Sequence, residues 1–216
     1  LSESKEKTAR IQIQAFSSAL DLYFLDSGKY PSATEGLAAL VQKPDGALAV
    51  ETQSAYVLAL WVGLIPEKQI PAAAARLADR VAKNEFRMAT GFLGTRALLP
   101  ALTGAGQHDL AARLFQSRRF PSWGYEVANG ANTVWERWDS FTTEHGFNGA
   151  AGNQNAAMNS FSHYAFGAVM EWAYRDLAGI DTLGAGYRRI LIRPRVPAPG
   201  SNPEQKPIDT VTAHYD

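Results

Sequence analysis

Between Thr52 and Gln116 the chain repeats one pattern: apolar residues at helical spacing, then a break at glycine or proline. Ala55, Leu58, Ala59 and Val62 recur three and four apart after Thr52, a residue suited to an N-cap, and Gly63 weakens the end. Pro66 and Pro71 bracket a turn, and Ala72 to Lys83 is an alanine-rich stretch of high helix propensity. Thr90 before Gly91-Phe92-Leu93 starts another helix, expected to run to about Leu102 until Gly104-Ala105-Gly106 breaks it. His108 to Gln116 is a fourth, with Leu110, Leu114 and Phe115 facing inward. Helices joined by such short connections lie antiparallel as hairpins, the units from which an α/α toroid is built.

What surrounds this repeat narrows the function. Of the 216 residues 46% are apolar, so a core can form, in one large or two small domains. Lys plus Arg equals Asp plus Glu, at 21 each, which leaves no electrostatic footprint for nucleic acid or an anionic membrane. The absence of cysteine excludes disulfides and thiolate chemistry and leaves the cytoplasm and the periplasm or exterior equally open. No run of about 18 apolar residues is present to span a membrane, and no signal peptide is seen. The four histidines lack metal-ligand spacing and no glycine loop cradles phosphate, so no metal or cofactor is expected. The start at Leu1 rather than Met reads as a processed product or a fragment.

One stretch carries chemistry. Pro121 to Trp138, PSWGYEVANGANTVWERW, holds three of the five tryptophans and sets Glu136 between Trp135 and Trp138, next to Arg137. Gly124, Asn129, Gly130 and Asn132 interrupt any period, so a loop is expected. Exposed indoles with carboxylate and guanidinium suit a sugar, which offers C–H faces to stack and hydroxyls to bond. Apolar neighbours disfavour the charged form of Glu136 while Arg137 favours it, the setting in which glycosidases place acids and bases. Trp123 and Trp135 are the candidate stacking platforms; Trp138 and Trp172 are assigned to packing. The alternative is structural: Trp135 and Trp138 on one buried helical face, with Glu136 and Arg137 as a solvated pair.

Beyond this stretch, residues 139 to 157 read as a Gly- and Asn-rich loop with His145. A long helix, the longest after Asp45-Gly46, is expected from Ala156 to about Leu177, with Phe161, Tyr164, Ala165, Ala168 and Trp172 as its stripe and Gly179 at its end. His163 lies on that stripe, either as a core histidine bonded to a carbonyl or as a donor to a ligand hydroxyl. His108 and His145 are expected at the surface. Period-two alternation from Tyr187 to Val196, bounded by Pro194 and Pro197, predicts a strand, and Val211 to Tyr215 could start a second.

The segments TGFLGTRALLPAL (Thr90 to Leu102), PSWGYEV (Pro121 to Val127), GANTVWERW (Gly130 to Trp138), MNSFSHYAFGAVMEW (Met158 to Trp172) and LAGI (Leu177 to Ile180) resemble, in order and spacing, the catalytic module of the α-L-rhamnosidases of glycoside hydrolase family 78. The resemblance covers roughly residues 48 to 216. It implies a mainly α fold, part of an (α/α)6 toroid of hairpins followed by a small β-sandwich, and inverting hydrolysis of terminal α-L-rhamnosyl residues. Glu136 matches the family's general base and His163 a substrate-binding histidine. The family's general acid, a glutamate in an Asp- and Arg-rich motif near the start of the barrel, has no counterpart before Thr52. Glu51 and Glu85 lack the expected neighbours. Chain 1–216 alone is therefore expected not to be a competent rhamnosidase.

In place of that motif stands ALDLYFLDSGKYPSATEGLAALVQKP (Ala19 to Pro44), similar to the major pseudopilin of the type II secretion system over about residues 3 to 46. By period alone residues 1 to 25 form an amphipathic helix with Ile11, Ala15, Ala19 and Leu22 on one face, followed by a short helix from Glu35 to Val41. The pilin's apolar anchor and its C-terminal sheet are absent. The expected domains are thus 1–46, a pseudopilin-like helical segment; 47–182, the C-terminal part of the glycosidase barrel; and 183–216, the start of a β-sandwich. Three functions follow: a rhamnosidase module acting on a carbohydrate, a structural subunit with pseudopilus partners, and a helical module that binds rhamnose without turnover.

Overall fold

The computed structural model describes residues 50–147 and 159–214, together with Ser17, Leu20, Asp21, Ala47 and Leu48. Ser17, Leu20 and Asp21 are helical; the rest of the expected 1–25 helix, the helix from Glu35 to Val41 and the start of the one from Ala156 lie outside the described residues.

The repeated helices form as the spacing predicts. Helix α1, Gln53–Trp61, starts at Thr52, whose hydroxyl accepts from the Ala55 amide at 3.1 Å. Helix α2, Ile70–Lys83, has a proline in its first turn, where no amide donor is needed. Helix α3, Phe92–Gly104, begins after Gly91 rather than at Thr90. Thr90 is instead buried and shares a hydrogen bond with the Thr95 hydroxyl at 2.9 Å. Helix α4 is His108–Gln116, and the short α5, Trp123–Ala128, is capped by the Ser122 hydroxyl.

Helices α1, α2, α3 and α4 pack as successive neighbours around one core, with α3 between α1 and α4. Leu77, Leu98, Leu102, Leu114, Val57 and Tyr56 are fully enclosed there. Each fully buried Leu or Val contributes roughly 1.5–3 kcal/mol through removed apolar surface. Burial also raises the Tyr56 hydroxyl above its ordinary range; it accepts from the Leu48 amide and donates to Glu51.

The helix expected from Ala156 to Leu177 is corrected. Asn159 to Ser162 are not helical, and helix starts only at Tyr164, with His163 as its cap. It runs as α6, Tyr164–Gly167, then α7, Val169–Trp172, and widens into a π turn over Ala173–Leu177. Amide bonds three residues back at Ala168 and Glu171, then five back from Ala178 to Ala173, first tighten and then loosen the coil. The faces shift accordingly: Tyr164 is 85% exposed, whereas Phe166 and Trp172 are buried. Among the described residues the longest helix is α2, with 14 residues.

The strands are shorter than the alternation suggests. β1, Phe141–Thr142, pairs antiparallel with β2, Gly146–Phe147, so the expected 139–157 loop begins with a small hairpin. Of Tyr187 to Val196 only β4, Ile190–Ile192, is strand, and its partner is β3, Ile180–Thr182, with Asp181 opposite Leu191. The described part of Val211 to Tyr215 forms no strand. Gly179 ends the preceding helical run and admits no other residue easily: its φ is +74°, and a Cβ would sit 2.0 Å from the Arg193 carbonyl carbon.

Candidate active site

Between α5 and α6 two irregular segments lie side by side. The His163 amide donates to the Val134 carbonyl at 2.7 Å, and the Glu136 amide donates to the Ser160 carbonyl at 2.9 Å. The Thr133 hydroxyl reaches the Phe161 carbonyl. This pairing brings Glu136 and His163 onto one short ladder, Glu136 opposite Ser160 and His163 opposite Val134.

Glu136 is half-buried. Its Oε2 accepts the Ser160 amide at 2.7 Å, so the carboxylate is held by the segment it faces. Among the described residues no further group bonds its other oxygen. Arg137, expected to influence Glu136, pairs instead with Asp139 at 3.2 Å. Ser140, fully buried, ties the next turn by accepting from the Arg137 amide and bonding Asn159 at 2.7 Å.

His163 is half-buried and caps α6: its Nδ1 accepts the Ala165 amide at 3.2 Å, and its ring stacks on exposed Tyr164 at 5.2 Å. A neutral imidazole accepting at Nδ1 carries its proton on Nε2, which makes that nitrogen a donor.

The tryptophans correct the expectation of exposed rings. The expected loop is helical over Trp123–Ala128 and irregular only after it, and Trp135 is only 3% exposed, edge-on to Phe147 and Phe161 at 6.0 and 5.7 Å. Trp123 is half-buried, its indole N–H donates to the Phe166 carbonyl at 3.0 Å, and its ring meets Trp138 edge-on at 5.4 Å. Trp135 presents no face to solvent as a platform, and Trp123 is only partly exposed. The apolar payload of an indole is large enough that burial wins wherever the chain allows it. Trp138 and Trp172 pack as expected: Trp138 stacks on Phe166 at 3.7 Å, and Trp172 donates to Thr103 at 2.8 Å.

Three groups were not singled out from sequence. Glu126 on α5 is 3% exposed, and burial pushes its carboxyl up to about 8, against the pull of the Trp135 amide. An acid set in a run of aromatic and apolar residues with no base nearby is the signal that could have found it. Phe147, beside Trp135, is 58% exposed. His108, expected at the surface, is half-buried against Trp172 and bridges Thr103 at 3.2 Å and the Arg195 carbonyl at 2.8 Å.

Elsewhere a cleft of about 770 Å³ is lined by Met170, Glu171, Tyr174, Arg175, Asp181 and His214. None of Glu136, His163, Trp135 and Trp123 lines it. Among the described residues no group of three or more His, Cys, Asp or Glu is placed to hold a metal ion, and no helix is long and apolar enough to cross a membrane.

The fold is mainly helical, with successive helices packed against one another. The family model for the bacterial alpha-L-rhamnosidase six-hairpin glycosidase domain matches residues 25–177, and the chain belongs to that family. An alpha-L-rhamnosidase of Streptomyces avermitilis is 49% identical over 151 residues, 70% of this chain and 14% of that protein. The crystal structure of a Streptomyces avermitilis alpha-L-rhamnosidase complexed with L-rhamnose superposes with a TM-score of 0.67 at 47% identity, over 74% of this chain and 15% of that one. The chain thus spans about one seventh of the length of the relatives it matches. A different likeness, 48% over 44 residues, is to the type II secretion system core protein G of Pseudomonas aeruginosa, covering 20% of this chain and 31% of that protein.

Proposed function

We propose that this chain carries the base side of an inverting α-L-rhamnosidase, with Glu136 as the general base that deprotonates the attacking water. The observation that carries the reading is the anchoring of Glu136: one oxygen fixed by the Ser160 amide, the side chain half-buried, and His163 on the same ladder. A base must be held still to align its water, and a backbone donor does so without adding charge. His163, with its proton on Nε2, donates to a rhamnose hydroxyl. Trp135, between Val134 and Glu136, packs inward against Phe161. Inversion requires a second, protonated carboxyl across the bond, far enough away to admit water. No residue of 1–216 is assigned that role, because the Asp- and Arg-rich motif expected before Thr52 is missing from the sequence.

The test is an aryl α-L-rhamnoside assay paired with rhamnose calorimetry on chain 1–216. The expected result is rhamnose binding, weakened by His163→Ala, without hydrolysis. In a protein that completes the barrel, Glu136→Gln lowers kcat by about 10²–10⁴-fold. Turnover by chain 1–216 that Glu136→Gln abolishes would refute its incompetence and uphold the base; absence of both binding and turnover would sink the reading. For the N-terminal segment alone, the 44-residue likeness to core protein G supports a second reading as a pseudopilin-like structural piece. Incorporation of a fusion of residues 1–46 into pseudopili would support it, and exclusion from them would dismiss it.

A further inference from the structure

The cleft away from the Glu136 ladder is built by a change in helical pitch. Tyr174 and Arg175 ride on the π turn, Ala173–Leu177, which follows α7 directly. A π turn holds more residues than an α turn, so it rotates these two side chains off the register set by α7. There they share the cleft with Asp181 of β3 and with Tyr187. Tyr187 holds a φ of +52°, a left-handed conformation that a bulky side chain keeps only where its surroundings impose it. The volume enclosed, about 770 Å³, falls within the range of roughly 300–1,000 Å³ typical of small-ligand clefts.

The polar groups of the cleft are balanced in charge and held in place. Arg175 pairs with Glu171 at 3.0 Å and with Asp181 at 3.3 Å, and Arg96 stands 3.8 Å from the second Glu171 oxygen. Two carboxylates thus face two guanidinium groups, which leaves no net charge to draw an anion or a cation. The Thr182 amide donates to Asp181 Oδ1 at 2.8 Å, and the Tyr174 hydroxyl donates to the His214 carbonyl at 3.3 Å. A carboxylate offers about four lone-pair sites, so both acids keep acceptor capacity. Met170, 53% exposed, and the rings of Tyr174 and Tyr187 add apolar faces.

We propose that this cleft is a second sugar site, which takes a neutral sugar with a C–H face on Tyr174 and hydroxyls on Glu171, Arg175 and Asp181. Aromatic faces beside fixed donors and acceptors suit a ligand that is apolar on one side and hydroxylated at its edge. A charged ligand would have to displace an existing ion pair, whereas a hydroxyl joins one without breaking it. The site is separate from the ladder. From His163 to Tyr174 the helical run advances roughly 16 Å, at about 1.5 Å per residue, and neither Glu136 nor His163 lines the cleft. It therefore holds a sugar without cleaving it. The choice of rhamnose as that sugar rests on the reading of the chain as part of a rhamnosidase; the cleft and its chemistry do not.

The experiment is amide NMR of chain 1–216 titrated with L-rhamnose, with sodium sulfate as the charged control. The Arg175 and Thr182 amides report on the cleft, and the Ser160 and His163 amides on the ladder. Arg175 and Thr182 are expected to shift with L-rhamnose and to stay still with sulfate. Tyr174→Ala should weaken the cleft response about tenfold, the share of one stacked ring, and leave the Ser160 and His163 response unchanged. Tyr174→Phe keeps the ring and gives up only the hydroxyl tie to His214, so its cleft should bind as the wild type does. His163→Ala should leave the cleft response intact. Cleft amides that stay still in L-rhamnose overturn the proposal, as does a larger response to sulfate than to sugar. A cleft response that Tyr174→Ala leaves at full strength also overturns it. Should that variant fail to fold, loss of the response in Tyr174→Phe would do the same, by moving the contact from ring to hydroxyl. Failure of the proposed base and its histidine would appear instead at Ser160 and His163 and in the turnover assay, with Arg175 and Thr182 still responding.

Discussion

The helical region from Thr52 to Gln116 and the segment from Gly179 to His214 are held by opposite means. In the first, apolar side chains meet across α1 to α4 and the backbone satisfies itself within each helix. In the second, two three-residue strands leave Ile190 and Ile192 exposed at 53% and 65%, and polar ties to the helices do the fastening. His108 reaches the Arg195 carbonyl, Asp109 accepts the Ala198 amide at 2.9 Å, and Gln116 donates to the Lys206 carbonyl at 2.9 Å. The Arg193 amide donates to the Gly179 carbonyl at 2.7 Å. An isolated two-stranded ribbon is marginal in water, so a segment this short borrows order from what it lies on. Packing makes a region self-sufficient, whereas a set of hydrogen bonds positions a region that cannot hold itself.

The strongest blow to that contrast is at Trp172, where the two modes meet. It is enclosed, bonds Thr103, and lies against His108 and Phe115. Trp172→Ala should cost about 3–5 kcal/mol, and urea unfolding should show one transition at lower denaturant, since core and tether fail together. A persisting helical transition with only the tail lost would break the comparison.

Gly179→Ala sharpens it. The left-handed φ and the approach to Arg193 and Pro194 should make the change cost about 2–4 kcal/mol locally. Hydrogen exchange should accelerate at the Arg193 and Arg195 amides, the latter bonded to the Leu177 carbonyl at 3.2 Å, while Leu98 and Leu102 stay protected. Uniform acceleration would mean that the two regions are one cooperative unit.

The smallest effect belongs to Arg119, which spans the Glu85 carbonyl at 2.7 Å and Glu204 at 3.2 Å on the surface. Arg119→Ala should shift stability by less than about 1 kcal/mol, because exposed ion pairs gain little over water. A larger loss in thermal unfolding would show that single polar ties matter more to the tail than its many contacts suggest.

Much of this was legible from residues alone. Apolar spacing, the Thr52 cap and the Gly104-Ala105-Gly106 break located α1 to α4, because helices form from neighbours in sequence and their period survives in the chain. The motif around Trp135-Glu136-Arg137 marked the site for the same reason of local density. Partners distant in sequence were not legible. The 190–192 strand was seen, but its mate at 180–182 fell within the stretch assigned to the barrel, and which face of Ile190-Leu191-Ile192 turns inward has no local cause. Arg137 looked like the partner of Glu136 and turned to Asp139.

The sequence by itself determined the hairpin repeat, the family and the residue on which its chemistry is proposed to turn. Only the tertiary structure decided that Trp135 lies inward, that His108 clamps Arg195, and that the Glu126 carboxyl is enclosed. Burial and desolvation are properties of what surrounds a group from all sides, and a linear order of residues records only the two neighbours along the chain.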